Sequence, residues 1–171
     1  MTSDETVVSC VSFRYGLTMP RPRPLPPLEE LRRLYELRDG ALVRRVNRSS
    51  FKAGTMPGHR GADGYWFMKI NDKTYSLHRI VWAIANGQDP GEMQIDHVDG
   101  DRSNNRPENL RLATPSQNAA NRPAKGYHRV GNGYQARIQQ EHIGYFLSEE
   151  AAAEAYRAER IRRFGEYAHV G

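Results

Sequence analysis

Between residues 94 and 122 the chain has room only for small elements. Gln94 and Ile95 begin a short strand that runs into Asp96-His97-Val98-Asp99-Gly100-Asp101, a polar stretch suited to a loop. Asn105-Arg106-Pro107-Glu108 has the pattern of an N-cap with proline in the first turn and an acid three residues on, so one helical turn is expected. Leu110 to Ala113 can return as a second strand. Thr114-Pro115-Ser116-Gln117 then repeats the capping logic and starts a helix that must end before Pro123. The order strand, loop, strand, helix gives an α+β class. Spacing of three and four places Asn118, Asn121 and Arg122 on one face of that helix, able to point back at Asp96 and His97.

The flanking sequence reads as further small units. In Pro20-Arg-Pro-Arg-Pro-Leu-Pro-Pro27 repeated proline removes amide donors and forces extended backbone, which predicts a disordered arm over residues 1–27. Leu28, Leu31, Leu34 and Leu37 predict an amphipathic helix over 28–37, ended by Asp39-Gly40, with the leucine stripe in the core. Residues 41–46, 65–70 and 74–77 are short branched and aromatic runs that suit a small antiparallel sheet, with Asn71-Asp72 as a turn. A helix over 78–86 buries Ile80, Val81, Trp82 and Ile84 and stops at Gly87 and Pro90. From Lys125 onward, strands at 126–130, 134–139 and 142–146 precede a helix capped by Ser148 and rich in alanine, suited to close approach on a sheet. On the middle strand Tyr134, Ala136 and Ile138 alternate with Gln135, Arg137 and Gln139, one face for the helix and one for solvent or a ligand.

Composition narrows the function classes. A hydrophobic fraction of 38% with 15 Gly and 10 Pro suits small modules with thin cores. The single cysteine, Cys10, excludes a disulfide framework or a cysteine-ligated zinc within one copy and suits a reducing, cytoplasmic setting. The longest apolar run in the folded part, residues 80–85, is far below the roughly 20 residues of a membrane span, and no export signal is evident. A net charge of +5 raises the prior for a polyanionic partner. Arg44, Arg45, Arg48, Lys52 and Arg60 lie between Gly40 and Ala62 with no acid among them, which points to a phosphate-facing surface.

The chemistry concentrates at Asp96, His97 and Asn118. A carboxylate and an amide oxygen are hard ligands that suit magnesium and leave positions for water and a phosphate oxygen. A histidine beside them, with an unperturbed pKa near ~6.5, can take a proton from attacking water near neutral pH. An Asp-His pair before a turn is by itself more often a solvated loop. A calcium loop is excluded, because neither Asp96 nor Asp99 begins the pattern with glycine sixth and glutamate twelfth. Asn104, Asn105 and Asn109 suit turn, cap and brace roles, and Asn105 and Asn121 are expected in supporting positions behind the ligands.

The run from Ile95 through Asp-His-Val-Asp-Gly-Asp-Arg-Ser-Asn-Asn-Arg-Pro-Glu-Asn-Leu-Arg-Leu-Ala-Thr-Pro-Ser-Gln-Asn-Ala-Ala to Asn121 resembles the HNH endonucleases, in the branch common among phage-borne homing enzymes. Tyr75-Ser-Leu-His-Arg-Ile-Val-Trp82 resembles the same branch. The resemblance implies a ββα-metal (His-Me) finger with Asp96 and Asn118 as ligands of one Mg2+ or Mn2+, His97 activating water and Asn109 bracing the loop. It implies 5′-phosphate and 3′-hydroxyl products, with the cation stabilising the departing 3′ oxygen. His78 and Arg79 are assigned to packing or phosphate contact. The paired Cys-x-x-Cys motifs of some relatives are missing, so no structural zinc is expected.

Gly126-Tyr-His-Arg-Val130, Tyr134-Gln-Ala-Arg-Ile138, Ile143-Gly-Tyr-Phe146, Glu149-Glu-Ala-Ala-Ala-Glu-Ala-Tyr156 and Phe164-Gly-Glu-Tyr-Ala168 together resemble the Apetala/ethylene-response-factor DNA-binding domain. That resemblance implies a three-stranded sheet packed on one helix, with Lys125, His128, Arg137, Gln139 and His142 facing DNA. The expected organisation is an arm over 1–27, a basic DNA-gripping helix and sheet over 28–75, the nuclease over 76–123 and the DNA-binding module over 124–171. Arg44, Arg45, Arg48, Lys52, Arg79, Arg102 and Arg122 complete the expected contacts to double-stranded DNA. The chain would act as a monomer or homodimer with no membrane partner. A DNA-binding regulator that keeps the fold without cleaving is the alternative. A structural RNA-binding protein would need aromatic platforms that the sequence does not display.

Overall fold

The computed structural model describes residues 22–47 and 50–169. Arg48, one of the expected DNA contacts, Cys10 and most of the expected arm lie outside the described residues. The chain is α+β, with helices α1 (Leu28–Leu34), α2 (Leu77–Asn86), α3 (Pro115–Ala120) and α4 (Glu149–Phe164) set among small antiparallel sheets.

The expected helix over 28–37 is two elements. It ends at Leu34, and Tyr35–Arg38 forms strand β1, paired with β2 (Ala41–Arg44) so that Leu37 faces Leu42. Asp39 and Gly40 have φ of 53° and 76°, the left-handed pair that a two-residue hairpin turn requires. They join two strands and do not end a helix. The described part of the proline-rich arm is likewise seated against the fold. The Leu25 amide donates to Asp89 Oδ2 at 2.9 Å, and the Leu25 side chain packs against the core, which gives this extended, proline-rich backbone a fixed place.

Strands β3 (His59–Arg60), β4 (Trp66–Ile70) and β5 (Lys73–Ser76) form a second sheet, turned by Asn71 and Asp72 at positive φ. From β5 the chain passes directly into α2, which ends at Gly87 with φ of 73° and an amide bonded to the Ala83 carbonyl. Helix α2 is the centre of the core. Its Leu77, Ile80, Val81 and Trp82 pack with Leu31, Leu42, Met68 and Ile70 on one side and with Ile95 and Leu110 on the other. Each such side chain contributes about 1.5–3 kcal/mol on full burial. The region expected to grip DNA and the region expected to cut it therefore share one apolar core.

Strands β6 (Gln94–His97) and β7 (Leu110–Ala113) pair antiparallel, with a one-turn 3₁₀ helix over Pro107–Asn109 before β7. Arg106, not Asn105, occupies the cap position of that turn, and no side chain caps it. Thr114 does cap α3. Its hydroxyl accepts from the Gln117 amide while the Gln117 side chain accepts from the Thr114 amide.

The last unit has strands β8 (Tyr127–Val130), β9 (Gly133–Ile138) and β10 (Glu141–Phe146) in the order β10-β9-β8, covered by α4. Ser148 caps α4 by accepting from the Ala151 amide. Ala136 and Ala152 are fully buried between sheet and helix, so small side chains set a close approach. The unit is fastened to α3. The buried Arg160 donates to the Ala120 and Arg122 carbonyls, and the His169 amide donates to the Ala120 carbonyl at 3.0 Å. Among the described residues no helix is long and apolar enough to cross a membrane.

Candidate active site

Asp96 and His97 close β6 and are both 4% exposed. The loop beyond them is held from inside by Asn109. Its Oδ1 accepts from the Asp99 amide at 3.1 Å, and its Nδ2 donates to Asp99 Oδ1 at 2.9 Å and to the Asn104 carbonyl at 2.8 Å. Asn104 Nδ2 donates to the other Asp99 oxygen at 2.7 Å. Burial pushes the Asp99 carboxyl up, but donors from Asn104, Asn109 and the Asp101 amide outweigh it and hold its pKa below the usual carboxylate range. Gly100, at φ of 74°, supplies the left-handed residue of the loop.

His97 Nε2 lies 3.2 Å from Asn105 Oδ1. An amide oxygen only accepts, so Nε2 carries the proton in neutral His97, and Nδ1 is left as the basic nitrogen. Asn105 thus orients His97 and does not cap the following turn. Its Nδ2 donates to the Ser103 carbonyl at 3.2 Å. The other faces of His97 meet Tyr65 and His78, with ring centroids at 5.9 and 5.3 Å.

Asp96 is flanked by two donors. Arg111 Nε donates to Asp96 Oδ2 at 2.9 Å, and Asn121 Nδ2 donates to Oδ1 at 3.1 Å and to the His97 carbonyl at 2.6 Å. Asn118 gives its Nδ2 to Gln94 Oε1, which turns the amide oxygen to other partners. Asp96, His97, Asn118 and Asn121 line one cleft of about 130 Å³, with Arg102 and Arg122 at its exposed rim. Arg102 is positioned by a 2.9 Å bond to the Asp63 carbonyl and lies 4.8 Å from the Tyr65 ring centroid. The sequence reading missed Arg111, although Leu110 and Leu112 on either side of it mark a strand with one polar side chain facing Asp96 across the ladder.

Other expected DNA contacts are distributed differently. Arg79 points inward, donating to the Met93 and Gly91 carbonyls at 2.8 and 2.7 Å near Asp89, so it braces the 87–93 turn and does not face phosphate. Arg44 donates to Thr55 Oγ1 and the Met56 carbonyl and stacks 4.4 Å from the Phe51 ring centroid. Arg45 donates to the Arg32 carbonyl, and Lys52 is exposed. Lys125 pairs with Glu149 at 2.9 Å. Gln139, at φ of 54°, sits in the β9–β10 turn and donates to Ser116 Oγ on α3, so it leaves the sheet face. His128, Arg137 and His142 remain exposed on that sheet. Register places Arg137 opposite His142, and Gln135 between His128 and Tyr145. Strand alternation places Gln135 on this face, and Tyr145 beside it was not singled out from sequence.

Known proteins share part of this chain. Residues 75–120 match the family model described as HNH endonuclease. The protein named Uncharacterized HNH endonuclease L560, from Acanthamoeba polyphaga mimivirus, is 35% identical over 102 residues, covering 54% of this chain and 54% of that protein. Protein 3.8 of Escherichia phage T7 is 48% identical over 44 residues, covering 26% of this chain and 36% of that protein. The chain spans about half the length of the first relative and less of the second. No solved structure matches it at a significant level. The family match brackets Asp96, His97 and Asn118, and with the viral relative it supports a nuclease.

Proposed function

We propose that this chain is a metal-dependent HNH endonuclease, of homing type, that hydrolyses phosphodiester bonds in double-stranded DNA to 5′-phosphate and 3′-hydroxyl ends. The observation that carries the reading is the oriented imidazole of His97, with Nδ1 as its basic nitrogen, beside the Asp96 carboxylate in a cleft that Asn118 also lines. Among the described residues no three His, Cys, Asp or Glu side chains gather for a metal. A cation here would thus be held by one carboxylate, Asp96, and one amide, Asn118, a hard oxygen set that suits Mg2+ or Mn2+. When bound, it would stabilise negative charge on the departing 3′ oxygen.

The protein's own groups supply the rest. His97 Nδ1 takes the proton of the attacking water, and Asn105 keeps the imidazole in the tautomer this needs. Asn109 holds the loop so that the imidazole stays aimed at the cleft. Arg102 and Arg122 at the rim attract the scissile phosphate. Residues 124–171 act as an Apetala/ethylene-response-factor-type module that helps choose the site. The support for this part is the three-stranded sheet on one helix, with His128, Gln135, Arg137 and His142 on the exposed side, residue types able to read base edges.

The test is conversion of supercoiled plasmid carrying the DNA that flanks the gene, with Mg2+ or Mn2+, by the wild type, by His97→Ala and in the presence of chelator. Metal-dependent nicked or linear product, reduced about 10²–10⁴-fold by His97→Ala, is expected. Binding without cleavage across metals and sites would instead make the chain a DNA-binding regulator.

A further inference from the structure

Arg111 connects Asp96 to the C-terminal unit. Its Nε and Nη2 both lie 2.9 Å from Asp96 Oδ2, and its Nη1 donates to the Glu166 carbonyl at 2.8 Å. The guanidinium stacks on Tyr167, 4.1 Å from the ring centroid, and the Tyr167 hydroxyl donates to the Leu112 carbonyl at 2.8 Å, one residue further along β7. A guanidinium is planar, with its donors in a rigid fork. The ring fixes its plane and the Glu166 carbonyl its rotation, so Nε bonds Asp96 Oδ2 in one orientation while Nη2 lies against the same oxygen as an ion pair without a hydrogen bond.

The same unit holds the opposite wall. Arg160 and the His169 amide bind the carbonyls at the end of α3, the helix that carries Asn118, while Asn121 beside that end donates to Asp96. Asp96 is therefore gripped between two groups, Arg111 and Asn121, and both are anchored by residues 160–169.

We propose that the C-terminal unit is a positioning element of the active centre, in which Tyr167, the Glu166 carbonyl and Arg160 act through Arg111 and α3 to fix the Asp96 carboxylate. The inference rests on the reading of Asp96 and Asn118 as ligands of a divalent cation. It makes Arg111 a positioning residue, and the segment matched to the HNH family insufficient for a competent site. A positive charge so close to Asp96 also opposes a cation, and the orientation it imposes has to outweigh that repulsion. Arg111→Lys keeps the charge and loses the fork, which separates the two effects.

The experiment uses the full chain and Mn2+ alone, with free Mn2+ followed by electron paramagnetic resonance and thermal unfolding recorded for each variant without metal. Asp96→Asn is expected to lose Mn2+ binding. Arg111→Lys and Tyr167→Leu are expected to weaken it about tenfold or more while still unfolding cooperatively, the usual consequence of removing a partner that orients a ligand. Tyr167→Phe, which keeps the ring on the guanidinium, should restore most of the affinity. If Asp96→Asn binds Mn2+ like the wild type, the ligand reading fails. If Asp96→Asn loses Mn2+ while Arg111→Lys and Tyr167→Leu keep wild-type affinity, the positioning proposal is overturned. Should Tyr167→Leu fail to fold, Arg111→Lys alone decides.

Discussion

The rings of His78 and His97 meet edge to face, with centroids 5.3 Å apart and planes inclined at 71°. His78 sits on α2 with Nδ1 buried and unpartnered, and Tyr65 closes the third side at 5.3 Å from His78. Burial first, then the neighbouring His97 and Arg79, push the pKa of His78 from 6.5 down to about 3. His78 is thus neutral near neutral pH, and it supports the His97 ring by packing against it.

This depressed pKa makes stability depend on pH in a defined window. The unfolded chain binds a proton at His78 below about pH 6.5 and the folded chain does not until about pH 3. The stability contribution is complete above the upper value and falls as pH drops between the two, by about 1.4 kcal/mol per unit. Urea denaturation at pH 7 and pH 5 should show a loss of about 2 kcal/mol from this group. Replacing it by His78→Phe should remove that share of the slope. An unaltered slope in the variant would mean that His78 titrates normally in the fold.

Asn109 satisfies the Asp99 amide, the Asp99 carboxylate and the Asn104 carbonyl from one side chain. Asn109→Ala takes the partner from the Asp99 amide and the Asn104 carbonyl, while the Asp99 carboxylate keeps Asn104 and the Asp101 amide, at a cost of about 1–3 kcal/mol. Chemical denaturation measures it. A midpoint equal to wild type would show that Asp99 and Asn104 hold the loop without the brace.

The capping box at Thr114 starts the short helix that carries Asn118. Thr114→Ala should lower stability by about 1 kcal/mol, and Thr114→Ser should recover most of it. Equal unfolding midpoints for all three proteins would show that tertiary packing alone defines the start of α3.

Arg122 is exposed at the cleft rim, and its backbone carbonyl, not its guanidinium, is what Arg160 holds. If the side chain meets phosphate, Arg122→Gln should weaken binding to all DNA sequences alike. It should also reduce the slope of log K against log salt by about 1. Fluorescence anisotropy across a salt series reads that slope, and an unchanged value would remove Arg122 from the contact surface.

Much of this arrangement was legible because capping and strand alternation are local signals. Thr114-Pro115-Ser116-Gln117 and Ser148 announce α3 and α4, and the return of β7 after the polar loop follows from Leu110 to Ala113. The leucines at 28, 31, 34 and 37 misled, because spacing three continues across a junction where helix becomes strand, and only the left-handed pair Asp39-Gly40 marks the change. Arg111 was not legible as a partner of Asp96, since that requires the register of two strands separated by a loop. Arg79 and Gln139 are basic or polar residues whose tertiary partners, the 87–93 turn and Ser116, lie outside any local pattern. Resemblance to known families, which reads position in the chain and not tertiary partners, placed both of them at the nucleic acid.

Leu31 lies far from Asp96 along the chain, yet it is completely buried in the core that also holds Ile95 beside it. A loss-of-function Leu31 variant in a cell would therefore report scarcity of folded molecules, not damage to the chemistry. Activity per folded molecule would be the quantity that tells an injured catalyst from a rare one.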